Sequence, residues 1–428
     1  MSLRKESRAR FTTTTSCSTS CSSRPSLPLP LPRERKAKPR SQRRATASSA
    51  GLMSKWRLSP SSTCSCSALR TASIRTFKYP HSDYFWAMVQ HEFEKLFKGK
   101  DPFTDILGQD VTKTQLKAAL LMDRHVIIVG PPGIGKTTLA KNVARLLPDV
   151  TVNDCEFHCD PKAPMCPQCK SKKPKTKSIT GEARFVRVQG SPDLTAEDLI
   201  GDIDPVKALK FGPASIEAFT PGKLFKANNG ILFFDELNRA PEKLQNALLQ
   251  VLEEGVATIG SYTIELPANF IFIGTMNPEE TAATEKLSDV FLDRFDIVHM
   301  GYPDSIELER EVVVKKGKKL NVQFPADLLN LSLLFVRLLR QHKDVQKKPS
   351  VRASLGIYER AQAHAYLAGR KAVTSQDISD ALISVISHRI ELKPSAKYLQ
   401  SPEDFVAEQF KQFLREHPDL EETVGGSL

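Results

Sequence analysis

Short apolar runs and helical stretches alternate through the middle of the chain. Residues 125–129, 184–189, 231–234 and 270–275 are runs rich in Ile, Val and Phe. Residues 138–147 and 242–253, between them, repeat apolar positions every three to four residues, the period of a helix with one buried face. Strands of a parallel sheet are buried on both faces and read as continuous apolar runs. The alternation therefore predicts a parallel sheet with helices packed on each side.

Beyond Pro303 the pattern becomes helical throughout, over residues 305–316, 326–340, 351–367 and 375–386. Thr374, with Asp377 three residues on, reads as a helix start of the capping-box kind. From residue 393 a polar tail is expected, holding one amphipathic segment at 402–414. The leader has no periodicity. It is rich in Ser, Thr, Arg and Pro and cannot bury enough surface to offset its ordering entropy. The expected divisions are a disordered leader (1–85), an α/β domain (86–302) with an insertion at 153–180, a helical domain (303–392) and the tail (393–428). No apolar run reaches the roughly eighteen residues of a membrane span, so a soluble protein is expected.

Charge changes this picture in one respect. Of the net +12, residues 1–80 supply +15, with 17 Lys/Arg against Glu6 and Glu34, which leaves the remainder at −3. The folded part lacks the overall basic footprint of a nucleic-acid binder. The leader is Arg- and Ser-rich and poor in acids, as an organelle (plastid) transit peptide is. An unstructured tail, or a start later in the chain, fits the same composition: Met53 and Met88 are alternative starts, and one near Met88 implies a cytoplasmic protein.

Five motifs follow one another along the α/β and helical parts. The first is Gly130, Pro131, Pro132, Gly133, Ile134, Gly135, Lys136 and Thr137, followed by Thr138. It fits G-x-x-x-x-G-K-[ST] between a strand and a helix. Backbone amides and a helix N-terminus there would cradle phosphates, with Lys136 on the β- and γ-phosphates and the Thr137 hydroxyl on Mg²⁺. The second is the apolar strand ending in Asp235 and Glu236. Its carboxylates fall at the sheet edge where α/β folds bind ligands, Asp235 to support Mg²⁺ and Glu236 to polarise water. The third is a strand ending at Asn277, whose amide can orient water without adding charge. The fourth and fifth are Arg294 in Phe291-Leu-Asp-Arg-Phe-Asp and Arg352 at the start of a helix. One would act on the ATP of an adjacent subunit, the other on the γ-phosphate; taken alone, each reads better as a surface salt bridge, and the order of the earlier motifs gives them weight.

Between the first two motifs lie Cys155, Cys159, Cys166 and Cys169, with His158 among them. Four thiolates at this spacing suit one tetrahedral structural Zn²⁺, with His158 a spare ligand; free or redox-active thiols are the alternative. The six-residue gap between Cys159 and Cys166 is short for a two-knuckle site. Five lysines within residues 170–177 read as a solvated loop or a contact for nucleic acid or an acidic partner. The remaining cysteines lie in the leader, and nothing suggests a disulfide framework.

From about Phe103 to Arg389 the order of motifs resembles the AAA+ ATPases, and more narrowly the MoxR proteins and the ATPase I subunit of magnesium chelatase. Residues 103–109, ending in Gly108 and Gln109, resemble the adenine-side segment; the first motif resembles Walker A, Asp235 and Glu236 Walker B, Asn277 sensor 1, Arg294 the arginine finger and Arg352 sensor 2. Residues 199–228 resemble the insert in the family's second helix, and 255–268 its hairpin before sensor 1. The resemblance implies an α/β P-loop AAA+ parallel-sheet sandwich followed by a small all-helical lid. It also implies ATP and Mg²⁺ as ligands, a self-assembled ring of six with ATP sites between subunits, and a partner bearing a von Willebrand A-type domain. No such domain follows residue 389, so that partner is expected to be a separate protein, and the ring is expected to drive its remodelling or metal insertion. A nucleic-acid motor resembling the MCM helicases is an alternative that the charge balance opposes. A nucleotide-sensing scaffold with little turnover is another, opposed by Glu236, Asn277 and Arg294. No nucleophile motif such as G-x-S-x-G suggests a fused protease.

Overall fold

The computed structural model describes residues 82–172, 174–213, 215–259, 262–278 and 287–417; side chains of 82–85, 216 and 257–267 are left aside. The leader up to residue 81 and the end of the tail from 418 lie outside the described residues. The described residues belong to one contact-continuous unit, residues 71–428.

The strands of the α/β domain are β1 (His125–Val129), β2 (Val150–Asn153), β3 (Thr176–Ile179), β4 (Phe185–Gln189), β5 (Gly201–Ile203), β6 (Phe219–Pro221), β7 (Gly230–Asp235), β8 (Val256–Ile259), β9 (Tyr262–Pro267), β10 (Phe270–Met276) and β11 (Phe295–His299); β12 (Val345–Lys347) and β13 (Glu391–Leu392) form an antiparallel pair in the helical domain. Five of them form a parallel sheet in the order β11-β1-β10-β7-β4. The apolar runs of β1, β7 and β10 alternate between two cores. Ile127, Val129, Leu232, Phe234, Phe270 and Phe272 face one; Val126, Ile128, Ile231, Phe233, Ile271 and Ile273 face the other. The continuous runs exist because both faces are covered. The pairs β2–β3, β5–β6 and β8–β9 are two-stranded antiparallel ribbons outside this sheet.

The helices are α1 (Ser82–Phe97), α2 (Asp110–Leu121), α3 (Lys136–Leu146), α4 (Pro167–Ser171), α5 (Ala196–Ile200), α6 (Pro205–Phe211), α7 (Lys223–Lys226), α8 (Glu242–Glu254), α9 (Asp289–Leu292), α10 (Ile306–Lys316), α11 (Ala326–Gln341), α12 (Val351–Leu367), α13 (Ser375–Ile386), α14 (Pro394–Lys397) and α15 (Pro402–Glu416). α3 buries Leu139, Ala140 and Val143 against the second core, with Phe93 and Phe103 beside them. The helical domain has its own core, from Leu328, Phe335, Ile357, Ile378 and Leu382 among others. Thr374 and Asp377 form the expected capping box at the start of α13.

Two features depart from the sequence reading. The stretch assigned to a polar tail folds back: α15 buries Phe405, Val406, Phe410, Phe413 and Leu414 in the helical core, with Phe335 and Phe410 rings 5.0 Å apart. Its apolar stripe has a physical partner in α11 and is not a free amphipathic segment. The edge strand β11 stands in the sequence only as the flank of Arg294. Two of its five residues are buried, so it shows no continuous apolar run. Among the described residues, no helix is long and apolar enough to cross a membrane.

Candidate functional site

The parallel register brings the ends of β1, β7 and β10 to one edge, with Val129 opposite Met276 and Gln189 opposite Asp235. A cleft of about 630 Å³ opens there. It is lined from the first motif by Pro132, Gly133, Ile134, Gly135, Lys136, Thr137 and Thr138, and from elsewhere by Gln109, Asp235, Glu236, Asn277 and Arg352. Residues chosen on sequence as far apart as Gln109 and Arg352 thus converge. Gly108, Gly130 and Pro131 do not line the cleft, though the carbonyls of Gly130 and Pro131 hold the Lys136 ammonium. At Gly130 a Cβ would overlap the carbonyl oxygen of Met300, so only glycine lets the loop leave β1 there. Gly133 has φ +75° and sits so close to the helical domain that a Cβ would lie 2.9 Å from Ser350 Oγ and Arg352 Cγ.

Lys136, the first residue of α3, donates from Nζ to Pro131 O at 2.9 Å and to Gly130 O. Burial brings its ammonium down to about 8; Asp235 and Glu236 draw it back up, and Arg352 presses it further down. The acids are held from several sides. Thr275 Oγ1 donates to Asp235 Oδ1 at 2.7 Å and accepts from the Glu236 amide at 3.0 Å. Arg187 Nη2 donates to Asp235 Oδ2 at 2.5 Å. Gln189 Nε2 donates to Glu236 Oε2 at 2.9 Å, and Arg239 Nη1 lies 3.1 Å from the same oxygen. Glu236 itself is left-handed, φ 56°, a turn that lifts its side chain off the end of β7.

Arg187, Gln189 and Thr275 were not selected from sequence as site residues. Thr275 belongs to the Asn277 motif, a signal that could have found it. Arg187 and Gln189 alternate along β4 and acquire their partners only from the register against β7. Arg294 is not among the residues lining its own chain's cleft. It follows α9 and pairs with Glu253 of α8 and with Asp293 at 3.2 Å.

The donor set fits a nucleoside triphosphate with Mg²⁺. Amides of the glycine loop, the start of α3 and Lys136 supply positive potential, while Thr137 and Asp235 supply hard oxygen ligands. Ile106, Leu107, Met300, Pro303 and Leu355 give the same cleft an apolar end suited to a base.

The four cysteines form a second cluster in the β2–β3 insertion. Their Sγ atoms all lie within 4.8 Å of one another, and three of the four residues are buried. A tetrahedron with Zn–S bonds of about 2.3 Å would need sulfurs about 3.8 Å apart, within small side-chain adjustments of this arrangement. Amides of Cys159, Met165, Cys166 and Cys169 donate to sulfurs of the group, each at 3.4 Å. Burial first, then neighbouring sulfurs, pushes the Cys159 thiol up to about 12, and burial raises Cys169 as well. Burial would also raise Cys155, but the Cys159 amide and the adjacent thiols outweigh it and hold that group below its ordinary range. His158 does not join the four sulfurs. Phe157 pins the insertion to the fold, its ring 5.9 Å from that of Phe225 and 6.3 Å from that of Phe219.

A glycine-loop cleft at the edge of a five-stranded parallel sheet, capped by a helical domain, defines a P-loop nucleoside triphosphatase. Family profiles for the AAA ATPases match residues 166–297, for the AAA lid domain residues 337–409, and for the ChlI subunit of magnesium chelatase residues 102–162. Magnesium-chelatase subunit ChlI-2, chloroplastic, of Arabidopsis thaliana is 30% identical, covering 68% of this chain and 76% of that one. The magnesium-chelatase subunit ChlI homolog of Methanocaldococcus jannaschii is 29% identical over 74% of this chain and 91% of its own length. Chaperone MoxR1 of Mycobacterium tuberculosis is 28% identical over 67% of this chain and 73% of its own. The chain belongs to the MoxR and magnesium-chelatase I-subunit group of AAA+ ATPases, and its activity is ATP hydrolysis.

Proposed function

We propose that this chain is the motor subunit of a self-assembled ring, six-membered as the family resemblance implies. ATP bound in the cleft of one subunit is completed by Arg294 of the next, and the cycle drives remodelling, or metal insertion, through a separate von Willebrand A-type protein. The observation that carries this reading is the division of the polar and charged side chains. Lys136, Asp235, Glu236, Asn277 and Arg352 meet in one cleft, while Arg294 lies outside it, paired with Glu253 near the surface. The similarity to proteins named magnesium-chelatase subunits and chaperone MoxR1 supports remodelling as the output.

Each residue then has a role its surroundings suit. Loop amides and Lys136 neutralise the β- and γ-phosphates, and Thr137 and Asp235 hold Mg²⁺, which would offset charge on the phosphate oxygens. Glu236 takes the proton of the attacking water, so it must first exchange its bond from Gln189. Asn277 orients that water. Arg352, presented against Gly133, compensates charge on the γ-phosphate and so ties the helical domain to the nucleotide. Gln109 donates to Gly301 O at 3.0 Å and shapes the base end of the cleft.

The four thiols hold a structural Zn²⁺ in this reading, because the polar insertion otherwise has little core of its own. Zinc would neutralise buried thiolates and lock the β2–β3 insertion.

Mixing Lys136→Ala with Arg294→Ala subunits tests the shared site. Each variant alone is expected to be inactive, and a mixed ring regains turnover where an intact cleft meets an intact Arg294. No recovery at any mixing ratio, with rings still forming, would rule out action between subunits.

A further inference from the structure

One buried ion cluster grips both the connector into the helical domain and the segment that carries Arg352. At its centre is Glu309 of α10, with no solvent exposure. Its Oε1 accepts from Arg340 Nη2 and from Ser354 Oγ, both at 2.6 Å; its Oε2 accepts from Arg340 Nη1 at 2.7 Å and from Arg337 Nη1 at 3.5 Å. The fork from Arg340 is the bidentate geometry that fixes direction as well as distance.

The two arginines of α11 also donate to backbone carbonyls of the two segments that reach the cleft through Pro303 and Val351. Arg340 Nε donates to Pro349 O at 2.9 Å, the residue before Ser350, which caps α12. Arg337 donates to Pro303 O and Asp304 O, each at 3.0 Å. The Arg340 guanidinium also stacks 4.6 Å from the centre of the Tyr302 ring. The cluster thus joins the 302–304 connector, α10, α11 and the Pro349–Arg352 turn into one body.

The Arg340 guanidinium and the Glu309 carboxylate are costly to desolvate, while Arg337 stays partly exposed. Apolar residues of equal volume would stabilise the domain as well or better, so burying the cluster is not explained by stability. What it supplies is geometry. Gly133 leaves room for Ser350 and Arg352 with no slack, so a small rotation of the turn would withdraw Arg352 from the loop.

We propose that Glu309, Arg337 and Arg340 are positioning residues that hold Arg352 at the phosphate end of the cleft, so that the protein distinguishes ATP from ADP. This rests on the γ-phosphate role given to Arg352 above. None of the three lines the cleft; each acts through the backbone it grips.

The experiment measures the ratio of dissociation constants for a non-hydrolysable ATP analogue and for ADP. Arg340→Lys keeps the charge but loses the fork and the bond to Pro349. It is expected to lower the preference for the triphosphate by roughly tenfold, the worth of one charge-assisted hydrogen bond, with ADP affinity unchanged. In an Arg352→Ala background it should have no further effect on the ratio. Glu309→Gln should act in the same direction, and the more exposed Arg337→Lys carries the test if the buried variants do not fold. Lower melting temperatures with an unaltered ratio, alongside a lost ratio in Arg352→Ala, would overturn the inference and leave the cluster a packing device. An unaltered ratio in Arg352→Ala itself would instead overturn the role of Arg352, and the inference with it.

Discussion

The cleft and the four-thiol insertion are built in opposite ways. Cleft residues come from segments scattered between Gln109 and Arg352 and are brought together by strand order and register. Their charges stay partly exposed and cross-paired, Asp235 with Arg187, Glu236 with Gln189 and Arg239. The thiols come from residues 155–169, three of them buried, and their bonds run to their own local amides. The cleft is held rigid by the fold around it and is free to exchange partners. The insertion is anchored by Phe157 and, on the zinc reading proposed above, would be locked by the ion its thiols hold. A change in the cleft should therefore cost turnover and spare the fold, and a change among the thiols should do the reverse.

The sharpest form of that contrast is Glu236→Gln. Removing the proton acceptor is expected to cut ATP turnover by about 10²–10⁴-fold, the usual worth of positioned acid–base catalysis. Nucleotide affinity and the melting temperature should stay close to wild type, since Gln keeps the shape and the Glu236 backbone bond to Thr275. Steady-state kinetics beside a nucleotide titration separate the two. If affinity and melting temperature collapsed together with turnover, Glu236 would be a structural group and the contrast would fail at its strongest point.

Cys166→Ser is the converse. Cys166 caps α4 and its sulfur accepts from the Cys169 amide; a serine hydroxyl can keep that cap, so the change removes the thiolate and leaves the local frame. Zinc affinity is expected to fall by more than the roughly 10–100-fold that losing a group supporting a metal ligand costs. Elemental analysis should read one zinc per wild-type chain and none in the variant, with proteolysis shifting to the insertion. Turnover per folded subunit should hold within about threefold, because the thiols do not line the cleft. A wild-type protein purified without metal under reducing conditions would leave the thiols free, the alternative their spacing allowed.

The two regions were also unequally legible in the sequence. The thiols could be grouped by eye because their spacing is local, yet spacing alone left zinc and free thiols open, and it is the mutual approach of the sulfurs that favours a metal. For the cleft, β1, β7 and β10 announced themselves as continuous apolar runs, and each run ended in a residue of distinct chemistry. Arg187 gave no such signal. A charged residue inside a strand reads as a solvated edge position, and its bond to Asp235 depends on a register that no short window contains. The Glu309 cluster was invisible for the same reason, and α15 was read as tail because its apolar stripe has meaning only beside α11.

Lys136 offers a test of intermediate size. Burial pushes its ammonium down to about 8 from the usual 10.5. Phosphates hold it protonated, so ATP affinity should fall about tenfold per unit as pH rises above 8 and flatten as free lysine values are approached. Stability moves the other way. The folded pKa lies below the unfolded one, so the cost of the buried charge is present in full below pH 8 and is relieved between pH 8 and 10.5. Lys136→Arg should flatten the affinity profile over this range. A wild-type profile as flat as that variant's would show that Lys136 keeps an ordinary pKa in solution.

The smallest expected effect lies at Gln189. Its amide donates to the same Glu236 oxygen that Arg239 approaches, and on the role proposed for Glu236 that oxygen is released before it accepts a proton from water. The bond is neutral at its donor end and partly exposed, which puts it at the low end of hydrogen-bond worth. Gln189→Ala should raise basal turnover by roughly two- to threefold with nucleotide affinity unchanged. Arg239 remains as a second hold on the carboxylate, which is why the rise is modest. If turnover instead fell with affinity unchanged, Gln189 would be aiming Glu236 at the water and not restraining it, and the free exchange of partners ascribed to the cleft would have to give way to a fixed constellation as local and rigid as the thiols.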